Sequence, residues 1–201
     1  MIRIFIETKT NELKQTNEEQ FVRHIIKLLG YSGEFEIIGT DGYTNLVQFS
    51  NAMKRNTTEN GTNIVIFDAD YPETGGFAKR KAELETLKTT HTIAFELFLY
   101  PNNQDNGIFE NLLETLITTD HKCLLECFHS YQDCIRKNNT KGFYKLPMQK
   151  AKLYTYLDTM SKSKAENESF KKGNWFFENE NYWNFNTFTI EPLMIFLKKY
   201  L

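Results

Sequence analysis

Short apolar runs alternate along the first half of the chain with segments whose apolar residues recur at helical spacing. Ile64-Val65-Ile66-Phe67 is continuous, with no period-two alternation, which describes a strand covered on both faces in the middle of a parallel sheet. Residues 2–6, 35–39 and 92–99 read as three further strands. Phe21, Val22, Ile25, Ile26, Leu28 and Leu29 mark a helix over 18–29, with Thr16 or Asn17 as its cap and Gly30 at its end. Further helices are expected over 43–55 and 77–88. Strand-helix-strand passages with short connections predict a parallel sheet with right-handed crossovers. Beyond Gly107 the pattern turns helical, with helices from about 108 and over 122–135, 148–160 and 190–201. The polar links 137–145 and 161–174 are expected to be mobile. The fold class expected is α/β, a mainly parallel four-stranded sheet flanked by helices, over 1–118. A helical C-terminal extension, 119–201, should pack on it.

Composition narrows this little. Of the 201 residues 40% are hydrophobic and 14% aromatic, which excludes a disordered chain. A formal net charge of −2 excludes a broadly basic coat for nucleic acid but leaves room for a local basic groove. The amino terminus reaches Glu7 too soon for a signal peptide, and no apolar run approaches the roughly 20 residues of a membrane span. A cytoplasmic protein is expected. Cys123, Cys127 and Cys134 fall near one face of a predicted helix and are expected to be buried there. With His121 and His129 beside them a zinc site is conceivable, but the spacing matches no common signature.

The candidate chemistry is acidic. Asp68 and Asp70 close the central strand, and residues i and i+2 of an extended backbone point to one side, so their oxygens should converge on one cation. Ligand crevices in open α/β sheets lie outside the carboxyl ends of the strands, where Glu7, after the first strand, would join them. Oxygen donors without histidine or cysteine favour Mg²⁺ or Mn²⁺ over zinc. An open carboxylate site suits phosphoryl-transfer or phosphodiester chemistry. The bland reading is that these acids cap helices or solvate turns.

These residues resemble the Toprim domain of topoisomerases, primases, recombination mediators and overcoming-lysogenization-defect nucleases. The resemblance rests on Glu7, on Gly39-Thr40-Asp41-Gly42 with Asn45-Leu46, and on Asp68-Ala69-Asp70. The run from Leu99 to Leu113, with Pro101, Gly107 and Glu110, is similar to small bacterial Toprim-like proteins related to those nucleases, as are Gln149-Lys150-Ala151-Lys152 and Trp183-Asn184-Phe185-Asn186 with Pro192-Leu193. The resemblance implies a Toprim-like, Rossmann-like fold and a Mg²⁺-dependent nuclease acting on DNA or RNA, in defence or repair. It makes Glu7 a general acid/base or metal ligand, Asp68 and Asp70 metal ligands, and Glu110 and Asp105 candidates for a second metal position. Lys150 would serve the transferred phosphate. One departure stands out: Thr8-Lys9 follows Glu7 where the family has glycine, and a polar insertion runs on to Asn17.

Two alternatives compete. One is a Toprim fold without turnover that binds nucleic acid or a partner protein. The weaker one is a phosphatase of haloacid-dehalogenase type, which also uses Asp-x-Asp after a strand but with the pair near the amino terminus and no proline at the position of Pro72. Lys141 and Lys145 read as solvated surface. The aromatic stretch Trp175 to Phe188 could stack on unpaired bases, though anchoring the last helix to the sheet is the better reading.

Overall fold

A computed structural model describes residues 1–10 and 14–201. The apolar runs form β1 (Ile2–Ile6), β2 (Phe35–Gly39), β3 (Thr62–Asp68) and β4 (Glu96–Tyr100). They pair in parallel throughout, in the order β2-β1-β3-β4. β3 is central, and Ile64 to Phe67 are fully buried. Between the strands lie α1 (Asn17–Leu28), α2 (Ser50–Thr58), preceded by a 3₁₀ turn at Tyr43–Phe49, and α3 (Gly76–His91). α4 (Phe109–Leu116), α5 (Lys122–Asn138), α6 (Gln149–Thr159), α7 (Lys164–Lys171) and α8 (Glu191–Lys198) follow.

The alternation of strand side chains divides the core into two layers. Ile4, Ile6, Ile64, Ile66, Phe98 and Tyr100 pack with α1, α4, α6 and α8, whereas Phe5, Val65, Phe67 and Leu99 pack with α2 and α3. The chain changes layer between β1 and β3, so the reversal of strand order lies at their carboxyl ends. The C-terminal helices share the first core with the sheet. Trp175, Phe177 and Trp183 are buried in it, and Trp183 Nε1 donates to the Trp175 carbonyl at 2.9 Å, so this stretch is an anchor.

Several boundaries differ from expectation for local reasons. β4 starts at Glu96 because Thr92 ends α3 in the left-handed region, φ 50°. The 161–174 link contains α7, whose start is fixed by a reciprocal Ser163–Glu166 capping box. The three cysteines are exposed, not buried. They do share a face of α5, but at about 100° per residue that face is rotated well away from the Leu124, Leu125, Phe128 face turned to the core. The expected insertion after Glu7 falls partly on residues 11–13, outside the described residues. Its first part lies across the end of β2, where a Cβ on Gly39 would come within 2.2 Å of the Thr8 carbonyl oxygen, so glycine is required there.

Candidate active site: an acidic crevice at the strand ends

The topology puts Glu7, just past β1, beside Asp68, the last residue of β3. The Asp68 N–H donates to Glu7 Oε2 at 3.2 Å. Asp68 has even parity with Ile64 and Ile66, so it points into the α1/α4 layer. There its Oδ1 accepts from the Phe109 N–H at 2.7 Å and caps α4, a task Ile108 at the cap position lacks the side chain to perform. Glu110 stands in the first turn of the same helix.

Glu18, in the first turn of α1, is the member that the sequence pattern concealed. It reads as an ordinary acid favoured by the helix dipole, yet only 2% of it is exposed. Its Oε2 accepts from the Thr8 N–H at 3.1 Å and from Thr8 Oγ1 at 2.8 Å. Thr8 is therefore the group that fixes this carboxyl.

The four acids act on one another. Burial is the main cause that raises the Glu18 carboxyl to about 7, with Glu7 and Glu110 adding to it against the two Thr8 bonds. Burial, then the charges of Glu18 and Glu7, push Asp68 well above the usual carboxylate range, opposed by the Phe109 N–H. Burial also raises Glu7, against the Asp68 N–H, and Glu110, against Lys150. The Tyr100 hydroxyl is buried beside Glu18, Asp68 and Glu110 and has no hydrogen-bond partner among the described residues. Burial and these three acids push it well above the normal phenol range. No Lys or Arg pairs with Glu18 or Asp68 among the described residues. The crevice is a desolvated set of hard oxygen donors short of positive charge.

Asp70 goes elsewhere. Its backbone takes φ 64°, so the i, i+2 rule for an extended chain fails at this residue. The carboxylate pairs with Arg80 of α3, in the opposite layer, and the guanidinium also lies over the Tyr43 ring. The Asp70 carbonyl accepts from the Gly107 N–H at 2.9 Å, tying the loop after β3 to the loop after β4. Glu7 senses both sides, raised by Asp70 and lowered by Arg80. Asp105 is exposed in the loop after β4, where its Oδ2 accepts from Asn102 at 2.8 Å. Lys150 is exposed at the start of α6, near Glu110. The neighbouring Lys152 is buried and pairs with Glu114 at 2.9 Å, a bond between α6 and α4.

A cation-binding role can be tested against this arrangement. No group of three His, Cys, Asp or Glu side chains among the described residues is positioned to hold a metal ion. Several carboxyl oxygens are spent on backbone N–H groups. The chemistry of the set nonetheless fits a hard divalent ion: clustered carboxylates, mutual repulsion and an unpartnered phenol at the topological switch point of a parallel sheet. The residues that would hold it are Glu7, Asp68 and Glu110. A separate depression of about 400 Å³, lined by Arg23, His24, Lys172 and Glu178, has mixed charges and no such cluster.

The fold and crevice define a Rossmann-like α/β protein with an acidic centre at its strand ends. By sequence the chain belongs to the DUF3226 family, described as proteins of unknown function, whose model matches residues 16–201. No curated protein and no solved structure matches the chain. No helix among the described residues is long and apolar enough to cross a membrane.

Proposed function

We propose that the chain is a Mg²⁺- or Mn²⁺-dependent phosphodiester hydrolase of Toprim type that acts on nucleic acid in the cytoplasm. The observation that carries this reading is the convergence of Glu7, Asp68 and Glu110, from three separate segments, around buried Glu18, with no Lys or Arg paired to Glu18 or Asp68 among the described residues. Uncompensated like charges cost stability, and such perturbed groups concentrate at functional sites. A divalent ion held there would relieve the repulsion and supply Lewis-acid charge to a phosphodiester. The chain's own part is positional. Asp68 is fixed by α4, Glu7 by the β3 backbone and Glu110 by the first turn of α4, while Lys150 offers a charge to a phosphate at the open side.

A second reading, a Toprim fold that binds nucleic acid or protein without turnover, is favoured by one feature: no three donors among the described residues are arranged as ligands. The test is cleavage of labelled DNA and RNA oligonucleotides by protein stripped with EDTA and then given Mg²⁺ or Mn²⁺. Metal-dependent cleavage lost in Asp68→Asn supports the hydrolase. Binding without cleavage supports the second reading, and hydrolysis of a phosphomonoester alone overturns both.

A further inference from the structure

The residues from 134 to 157 include Arg136, Lys137, Lys141, Lys145, Lys150 and Lys152 and no acid, in a chain whose net charge is −2. Lys152 is neutralised by Glu114. Arg136 is exposed and pairs with Asp133 at 2.6 Å, whereas Lys137, Lys141, Lys145 and Lys150 are exposed with no ion pair among the described residues. Besides Tyr154 of α6 at 46% exposure, this segment carries two aromatic residues in water, Phe143 at 78% and Tyr144 at 55%. They sit on a built turn: the Tyr144 N–H donates to Asn139 Oδ1, and Asn139 Nδ2 donates to the Tyr144 carbonyl, both at 2.9 Å. The segment is also tied to α5, where Gln132 Nε2 donates to the Pro147 carbonyl at 3.0 Å.

Beside Leu146, Pro147 and Met148 of this segment lies a groove of about 770 Å³ that is also lined by Asp133, Arg136 and Lys150 and touches the acidic crevice at Glu110. Lys150 also borders a second groove of about 470 Å³, whose far side carries Lys14, Lys171 and Tyr154. Lys171 pairs with Glu168 at 3.1 Å, and Lys14 and Lys150 line the same groove. A solvated lysine face would need no exposed aromatics, and an apolar protein contact would not need so many cations. Cations that follow a backbone, interleaved with flat rings open to stacking, match a chain of phosphates with unpaired bases. Duplex bases have no free faces to offer Phe143 and Tyr144.

We infer that this segment and the groove beside it bind single-stranded nucleic acid, with Phe143 and Tyr144 stacking on bases and Lys141, Lys145 and Lys150 along the phosphates, and that the groove delivers the strand to the acidic crevice. The inference deepens the hydrolase reading and rests on it for the delivery step, while strand binding stands alone.

Fluorescence anisotropy with the full chain in EDTA separates the two. The probes are a labelled oligodeoxythymidylate of about 20 nucleotides, long enough for a typical site, the matching oligouridylate, and a duplex of equal length. Either single strand should bind about tenfold more tightly than the duplex. Phe143→Ala with Tyr144→Ala should weaken single-strand binding about a hundredfold, because each of the two lost stacks is worth about tenfold. Lys141→Gln with Lys145→Gln should flatten the salt dependence. Duplex binding equal to single-strand binding, an unchanged double aromatic variant, or equal displacement by polyglutamate overturns the inference. If binding behaves as expected and no metal produces cleavage, the groove assignment stands and the hydrolase reading fails.

Discussion

Asp68 and Asp70 are two residues apart in sequence and meet opposite electrostatic surroundings. Asp70 turns into the α3 layer and is matched by Arg80, a guanidinium that is itself buried. Asp68 turns into the α1/α4 layer among Glu7, Glu18 and Glu110, each of which raises its carboxyl. One region is an ion pair in which Arg80 also meets Glu83 at 3.1 Å. The other is held together by backbone N–H groups and is missing charge. Acids at strand ends thus serve two purposes in one loop, Asp70 clamping the loop and Asp68 joining the acidic crevice, and the φ of 64° at Asp70 separates them.

The largest effect that would break this comparison lies in turnover. Asp68→Asn should reduce metal-dependent cleavage by at least about a hundredfold, a loss typical of removing a main electrostatic group. Lys150→Ala should leave metal binding intact and lower turnover about tenfold, measured at saturating Mn²⁺.

Stability gives the next contrast. Arg80→Met leaves Asp70 without its partner and should cost about 2 kcal/mol, less than for a fully buried pair because the Asp70 side chain is 27% exposed. A lowered urea midpoint with unchanged slope would register it. Metal binding should survive that variant, whereas a loss equal to that of Asp68→Asn would merge the two regions into one site.

The crevice also sets a pH signature for metal-free protein. Glu18 is raised from 4.5 to about 7 in the fold, so the native state holds a proton that the unfolded chain has released over this interval. Fewer protons in the unfolded state mean that stability falls as pH rises. The contribution is present in full below about 4.5 and is lost progressively up to about 7. Glu18→Gln should flatten this slope between pH 5 and 7 in urea titrations with EDTA. The smallest expected effect is on the metal-free melting temperature of Glu18→Gln near pH 8, a rise of a few degrees for a chain of this size. An unchanged slope and melting temperature would mean that Glu18 is not charged at a cost.

The sheet was legible because an unbroken apolar run has few alternatives and the strand-helix rhythm forces parallel pairing. Glu7 and Asp68 were legible for the same reason: strand ends in a parallel sheet share one edge. Glu18 was not, because an acid in a helix's first turn is ordinary until tertiary packing buries it, and its partner Thr8 lies in a loop with no pattern. Asp70 was read as Asp68's companion because period-two reasoning assumes an extended backbone, which ends at Ala69. The cysteines show the analogous limit on a helix, where a shared face says nothing of which way that face points. The Phe143–Tyr144 turn carried a charge signal in its lysines, but only its exposure separates it from the aromatic anchor at Trp175 to Trp183.

Calorimetric titration of Mn²⁺ into EDTA-stripped protein tests the cation site most directly, with wild type, Asp68→Asn and Asp70→Asn side by side. Saturable binding should appear in the wild type, fall at least about a hundredfold in Asp68→Asn and fall less in Asp70→Asn, because Asp70 is already paired with Arg80. At a hundredfold excess over Kd the bound ion should add about 2.7 kcal/mol to the stability of the wild type. No saturable binding in the wild type, or equal binding in wild type and Asp68→Asn, would contradict the account.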